Sequence, residues 1–81
     1  MKIRVRLFAV ARQLVGCDTT ELELAPPATV ADMRASLVSK HPQLAGMARL
    51  LLFAIDAEYS TDETPVADGA DVACIPPVSG G

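Results

Sequence analysis

Polar and apolar residues alternate at the start of the chain. Residues 2–7 read Lys-Ile-Arg-Val-Arg-Leu, and residues 19–24 read Thr-Thr-Glu-Leu-Glu-Leu. Because successive side chains of a strand point to opposite faces, this period of two predicts two strands, each with one buried face. Between them, residues 10–15 have the pattern of a short helical turn that Gly16 closes. The two strands therefore lie within hairpin distance.

One longer helix is predicted after the second strand. Pro26 and Pro27 end that strand, and Thr29 followed by Asp32 has the spacing of a capping box. The apolar residues at positions 30, 33, 37 and 38 recur with the period of a helix buried on one side. We predict that this helix begins at Thr29 and continues to about His41.

Two further strands are predicted in the second half. Residues 50–57 start as an almost wholly apolar run and turn polar at Asp56, which favours a strand at the centre of a sheet. Residues 61–69 are rich in turn-forming residues, among them the pair Asp68-Gly69. Residues 71–75 form the last predicted strand, which the two following prolines end.

The order strand, strand, helix, strand, strand determines the predicted fold. A chain of 81 residues is long enough for one hydrophobic core and too short for a second. We therefore predict an α+β fold of the β-grasp, or ubiquitin-like, kind: a mixed sheet of four to five strands with one main helix across one face. The predicted domain covers residues 1–75, and residues 76–81 form a flexible, extended C-terminal tail.

Charge is distributed unevenly along the chain. The net charge is −3, all seven Lys and Arg residues precede Leu50, and the charged residues after Leu50 are acidic. Nucleic-acid binding requires clustered basic residues, so this distribution argues against it and favours a basic protein partner for the second half. The alternative is that these acids are ordinary solvated residues.

Hydropathy argues against a membrane span. The longest uncharged apolar stretch, residues 50–55, is far shorter than the roughly 20 residues that cross a bilayer. The basic residues near Met1 alternate with apolar ones, which is not the pattern of a signal peptide. We expect a cytoplasmic protein that does not bind membranes.

Few side chains have the spacing of a reactive site. Cys17 and Cys74 stand far apart, and with the single His41 they do not form a metal-ligand set. Cys74 fits a small buried residue of a strand, and Cys17 fits a turn residue. The sequence alone does not decide whether the two form a disulfide. His41 fits a cap that satisfies the last carbonyls of the helix. The sequence has neither a Ser/His/Asp arrangement nor a phosphate-binding glycine loop, so it is not expected to be an enzyme by itself.

The C-terminal run is the most informative motif. Residues 75–81 read Ile-Pro-Pro-Val-Ser-Gly-Gly. Proline fixes φ and cannot donate to a sheet, so the prolines favour a stiff, extended arm. Gly80 and Gly81 lack side chains that would block a narrow channel. The alternative is an ordinary frayed terminus.

This run, together with residues 68–73, resembles the C-terminus of molybdopterin synthase small subunits, which are sulfur carriers of the ubiquitin-like family. A second similarity lies near the N-terminus, where the family motif is matched by Phe8-Ala9 with Arg12, Leu14, Val15 and Gly16. Two positions depart from the family: Ala70 replaces a commonly acidic residue, and Cys74 replaces a large apolar or aromatic one. The resemblance therefore covers both ends of the chain.

The resemblance implies a function for Gly81. An ATP-dependent adenylyltransferase would join AMP to its carboxylate transiently, and a separate sulfur donor system would then convert it to a thiocarboxylate. The tail residues Pro77, Val78, Ser79 and Gly80 would enter the active site of the large catalytic subunit, where cyclic pyranopterin monophosphate receives the sulfur. The family also implies a heterotetramer and neither a permanently bound cofactor nor a metal. The chain would be the sulfur-donating subunit of this sulfurtransferase, inactive alone.

Partner contacts are expected where the tail begins. Phe8, Ile75 and Pro76 are candidate interface residues because apolar anchors near a working terminus tend to dominate association. Two alternatives remain open at this point. The chain would be a carrier of another pathway, such as thiamine or cysteine synthesis, or a modifier conjugated through Gly81; or it would be a β-grasp binding module with an inert tail.

Overall fold

Ten short elements follow one another in the computed structural model, which describes residues 1–77. They are β1 (Lys2–Leu7), α1 (Ala9–Val15), β2 (Thr19–Glu23), β3 (Ala28–Thr29), α2 (Val30–Lys40), a 3-10 helix (Pro42–Leu50), β4 (Leu52–Ile55), β5 (Glu58–Tyr59), β6 (Pro65–Val66) and β7 (Asp71–Ile75). The first and last predicted strands, the short helix and the main helix are confirmed. Their bounds differ from the prediction by at most one residue.

The main sheet has five strands in the order β2-β1-β7-β4-β5. β1 and β7 run parallel, and the other neighbours are antiparallel. The predicted mixed sheet of four to five strands is therefore confirmed. The central strand is β7, so the last strand of the chain has a neighbour on each side, and the chain leaves the sheet from its middle.

The core lies between one face of this sheet and α2. In β1, Ile3, Val5 and Leu7 are buried while the intervening residues are exposed, as the alternation predicts. Burying one such side chain contributes about 1.5–3 kcal/mol before the entropy of folding is subtracted. The other buried residues of this layer are Leu22, Val30, Met33, Leu37, Phe53, Val72 and Cys74.

The start of α2 is fixed by the predicted capping box. The Thr29 side chain accepts a hydrogen bond from the Asp32 backbone N–H, and the Asp32 carboxylate accepts one from the Thr29 backbone N–H at 2.9 Å. Two backbone donors at the helix N-terminus are satisfied in this way, and the Asp32 charge is favourable there. The capping box thus ends β3 and begins α2 within one residue.

The predicted strand over residues 50–57 is wrong at both ends. Its first residues belong to the 3-10 helix and its C-cap, and β4 begins at Leu52. It stops at Ile55 because Asp56 and Ala57, with φ of 51° and 71°, form the tight turn that joins β4 to β5. β4 lies between β7 and β5 rather than at the centre. An apolar run does not by itself separate a strand from a buried helical segment.

His41 does not cap the helix through its side chain. Its position as the C-cap of α2 is confirmed, but its imidazole Nε2 shares a hydrogen bond of 2.8 Å with the hydroxyl of Thr20 in β2. Burial, with a smaller effect of the Lys40 charge, lowers the pKa of His41 below its ordinary value of 6.5. The side chain therefore ties the end of α2 to the sheet.

The two cysteines occupy the places that the sequence indicates. Cys17 is exposed in the turn before β2, and Cys74 is buried in β7; both are free thiols. Within residues 1–77, the helices are too short and too polar to cross a membrane.

Candidate functional site

The site begins where β7 ends. Leu7, the last residue of β1, pairs with Cys74, and Leu52, the first residue of β4, pairs with Ile75. The end of β7 is thus flanked on both sides by strands, and these hold the point from which residues 76–81 continue. A chain that leaves a sheet between two paired strands has a fixed direction at its base.

The structure describes only the first part of the sequence-predicted tail. Ile75 is half-buried, Pro76 is buried and Pro77 is exposed. Pro76 follows the parity of Cys74, whose side chain faces the core, so its ring has little surface to offer a partner. Val78, Ser79, Gly80 and Gly81 lie outside the described residues.

An apolar strip lies beside the exit, on the face of the sheet that α2 does not cover. It consists of Phe8, Ile75 and Leu52. Leu52 and Ile75 are register partners and so point to the same face, and Phe8 continues the open-face side of β1 in an extended conformation. Phe8 is 43% exposed and Leu52 51%. Exposed large apolar residues in one row are typical of protein contacts.

A second row crosses the open face next to the strip. Arg6, Ala73, Ala54 and Tyr59 are joined by successive register pairs across β1, β7, β4 and β5. Tyr59 is 71% exposed. Between Tyr59 and Arg6, the two alanines have short side chains that project little from the sheet. In the described residues, the open face near the exit is therefore mostly apolar, and Arg6 lies on its β1 side.

The Arg6 guanidinium is held from two directions. Its Nε and Nη2 donate to the two carboxylate oxygens of Asp71, each at 3.1 Å. Its Cζ lies 5.8 Å from the centroid of the Phe8 ring, within the range of a cation–π contact. A two-point pair of this kind fixes both the position and the plane of the guanidinium.

The turn after Phe8 keeps that residue on the open face. Phe8 is extended, with φ of −127° and ψ of 157°, and Ala9 has φ of 50° as the chain enters α1. A positive φ is uncommon for alanine and costs free energy, so the surrounding structure must impose it. The backbone thus changes from extended to helical directly after Phe8, whose ring lies beside Arg6.

The thiol nearest the exit among residues 1–77 is that of Cys74, and it is buried. Burial raises the pKa of the Cys74 thiol to about 11, an effect that the charge of Arg34 partly offsets. Since the thiolate is the nucleophile, Cys74 is inert at neutral pH. Within residues 1–77, no three His, Cys, Asp or Glu side chains lie together where they could hold a metal. The described part of the site thus presents an apolar strip and the paired cation of Arg6.

Sequence reasoning missed Leu52 and Arg6 as site residues. Leu52 was hidden in an apolar run that suggested a buried strand, although alternate residues of a one-faced sheet must be exposed. Arg6 has no local signal, because Asp71 lies far from it along the chain and meets it only through the parallel pairing of β1 with β7. Phe8 and Ile75 each follow one residue of the register pair Leu7–Cys74, and their contact with a partner stays a prediction.

Comparisons with known proteins identify one matching family and several named relatives. Residues 5–81 match the ThiS family. A protein of Chlamydomonas reinhardtii, named molybdopterin synthase sulfur carrier subunit, is 36% identical over 83 residues, covering 100% of both chains. The protein of that name from Escherichia coli K12 is 37% identical over 81 residues, covering 98% of this chain and 99% of its own.

The fold is shared with solved structures. SAMP1 from Haloferax volcanii, a small archaeal modifier protein, superposes with a TM-score of 0.86 at 27% identity and covers 100% of both chains. The predicted β-grasp fold is confirmed.

Proposed function

This chain belongs to the ThiS family, and from that premise we propose that it is the sulfur carrier subunit of a molybdopterin synthase. The observation that carries the proposal is the similarity to proteins of that name over 98–100% of this chain, which itself ends in Gly80-Gly81. The exit geometry supports it, because the central strand leads directly into that terminal run beside an apolar strip.

The proposed reactive group is the carboxylate of Gly81. An α-carboxylate has a pKa near 3.5 and is ionised at neutral pH, where it resists nucleophilic attack. Adenylylation by an ATP-dependent activating enzyme would join AMP to a carboxylate oxygen and release pyrophosphate. The acyl carbon would then carry AMP, which is a good leaving group. Sulfide-level sulfur from a donor system would then form a bond to the acyl carbon as the bond to AMP breaks, which leaves a thiocarboxylate and free AMP. The nucleotide is needed only during loading.

The loaded chain would deliver its sulfur within a complex. We propose that the large catalytic subunit of molybdopterin synthase receives residues 77–81 in its active site. There, cyclic pyranopterin monophosphate would accept one sulfur atom from each of two loaded chains to form the dithiolene. A tethered thiocarboxylate reacts at a high effective concentration, which free sulfide lacks. Hydrolysis of the acyl group by water would return the carrier to a carboxylate, which is then reloaded. The full assembly would be a heterotetramer. Since loading consumes ATP, the proposed function fits a cytoplasmic location.

The described residues would supply docking rather than chemistry. Phe8, Leu52 and Ile75 would be buried against the partner, and the two strands beside β7 would hold the base of the tail in place. Small misplacements of a reacting atom, about 1 Å, cost on the order of a hundredfold in rate. The role of the β-grasp domain is therefore to set where Gly81 arrives.

Reconstitution tests this proposal. The chain is incubated with an activating enzyme, ATP and a sulfur source, then with the large subunit and cyclic pyranopterin monophosphate, and dithiolene formation is measured. We expect product only with the complete mixture, and we expect removal of Gly81 to abolish it. Product formation by the Gly81-deleted chain at the normal rate would overturn the proposal.

A modifier function is the second candidate, because the chain has the fold of a small archaeal modifier protein. Both functions begin with activation of Gly81, but a modifier ends in an amide bond to a lysine of another protein. Mass spectrometry of tryptic peptides from native cells separates them. Lysines carrying a C-terminal fragment of this chain would support the modifier function, and a thiocarboxylate without such conjugates would support the carrier.

A further inference from the structure

We propose that Arg6, held by Asp71, is a positioning residue that orients the Phe8 ring on the open face for partner docking. This inference rests on the proposed function, since it concerns how the apolar strip meets its partner. Neither Arg6 nor Asp71 belongs to the strip, and the proposal gives Arg6 no direct role in sulfur chemistry.

Asp71 contacts Arg6, and Arg6 in turn contacts Phe8. Asp71 fixes the guanidinium through two hydrogen bonds of 3.1 Å, and the guanidinium lies 5.8 Å from the centre of the Phe8 ring. Phe8 is 43% exposed, so the packed core restrains its ring only in part. An exposed aromatic anchor loses rotamer freedom on docking, and a neighbour that restrains it beforehand lowers this cost.

Asp71 acts at a distance from the strip. It lies four residues before Ile75 on β7, roughly 13 Å along the strand. A partner that covers Phe8 and Ile75 therefore need not touch Asp71. Any effect of Asp71 on docking would have to pass through Arg6, which gives the proposal a specific signature.

Two neighbouring side chains provide matched controls. Arg4 lies on the same strand and the same face as Arg6 and is the register partner of Asp71, but it makes no ion pair within residues 1–77. Asp68 is exposed in the turn before β7 and lies outside the residues of β7 that pair with β1. Arg4→Gln removes a positive charge and Asp68→Asn a negative one, and neither residue takes part in the Arg6–Asp71 pair or in the Arg6–Phe8 contact.

The test measures binding of the full chain to the large subunit of molybdopterin synthase by isothermal titration calorimetry. We expect Arg6→Gln to weaken binding about three- to fivefold, the size of an exposed cation–π contact, and Asp71→Asn about two- to threefold. Arg4→Gln and Asp68→Asn should each change it less than about twofold. Arg6→Lys should recover part of the loss, because lysine keeps the charge but lacks the planar fork.

A double-mutant cycle isolates the positioning effect. If Arg6 acts through Phe8, Arg6→Gln should have no further effect once Phe8 is replaced by leucine. Equal losses in Arg6→Gln and Arg4→Gln would instead indicate a general charge effect and overturn the proposal. The same holds if Arg6→Gln weakens binding equally with and without the Phe8 ring.

The free chain provides an independent readout. Nuclear Overhauser contacts between the Arg6 δ-methylene and the Phe8 ring should be present in the natural chain and weaker in Asp71→Asn. Their absence from the natural chain would overturn the positioning role, whatever the binding data show. Failure of Gly81 to accept sulfur, in contrast, would overturn the proposed function and leave the Arg6–Phe8 contact intact.

Discussion

Leu52 and Ile75 stand opposite each other in the antiparallel pairing of β4 with β7, at the point where the chain leaves the sheet. Their side chains share the open face, and that of Leu52 is half exposed. The apolar strip therefore adjoins the point from which residues 76–81 continue. Any partner that receives residues 77–81 from this direction must approach the two residues closely.

Replacing Leu52 by serine should weaken binding to the large subunit about tenfold, because apolar anchors at the centre of an interface contribute most of the affinity. The change should cost only about 1 kcal/mol of folding free energy, since the side chain is half exposed already. Titration calorimetry and urea unfolding measure the two effects.

Leu14→Ser is the matched control for this prediction. Leu14 is 40% exposed but lies on α1, outside the strip. Its replacement should leave partner affinity within about twofold. Equal loss of affinity in both variants would mean that the strip is not the docking surface.

Arg34 should be a strong contributor to stability. Its Nη1 donates to the carbonyl oxygens of Ala48 and Leu51 at 2.6 and 2.7 Å, and its Nη2 pairs with Asp62 at 2.8 Å. The guanidinium also lies 5.1 Å from the centre of the Phe53 ring. It therefore joins α2 to the 3-10 helix, to the start of β4 and to the loop before β6.

Arg34→Lys should lower the free energy of unfolding by about 1–3 kcal/mol, because an ammonium cannot reproduce the fork and leaves a part-buried carbonyl unpaired. Urea unfolding followed by circular dichroism measures the loss. Arg49→Lys, at an exposed position, should change stability by less than about 0.5 kcal/mol. Similar stability of both variants would refute the role given to Arg34.

Stability should fall on mild acidification because of His41. Its folded-state pKa is lowered, so the unfolded chain binds the proton more tightly than the folded chain. The contribution of His41 is fully present above its ordinary pKa of 6.5 and is lost as the pH falls from there through the lowered folded value. His41→Gln should remove this part of the pH dependence. Unfolding curves from pH 7.5 to 5 that have the same slope in both proteins would contradict this assignment.

The two cysteines should differ strongly in reactivity. Cys17 is exposed, whereas Cys74 is buried and its pKa is raised to about 11. A thiol reagent at pH 8 should label Cys17 quickly and Cys74 only through unfolding of the domain, so the Cys74 rate should increase with urea. Fast labelling of Cys74 in the absence of denaturant would show that β7 opens locally.

The sequence predicts those elements whose pattern is local. The alternation over residues 2–7 and the capping box at Thr29 each require only neighbouring residues, and both are found where expected. The strands β3, β5 and β6 were missed because two residues are too few to show a period. The nine-residue 3-10 helix was missed because its three residues per turn do not give the period of an α-helix. The two-residue turn at Asp56 was hidden because neither of its residues is a glycine.

The candidate site divides in the same way. Gly81 and the exit residues are indicated by the terminal motif, and Phe8 by its place after β1. Leu52 and the Arg6–Asp71 pair become visible only when the order β1-β7-β4 places distant segments side by side. Strand order within a mixed sheet is set by the whole core, and no short stretch of sequence encodes it.

The chemical state of Gly81 is the most direct test of the proposed function. The chain is treated with an activating enzyme, ATP and a sulfur donor, and its intact mass and its C-terminal peptide are measured, with the Escherichia coli relative as a positive control. We predict a fraction of the chain heavier by one oxygen-to-sulfur exchange, located on the peptide that ends in Gly81, and none in the Gly81-deleted variant. A chain that stays unmodified while the Escherichia coli protein is loaded, or a sulfur atom found on Cys17 instead, would contradict the assignment of this protein as a sulfur carrier.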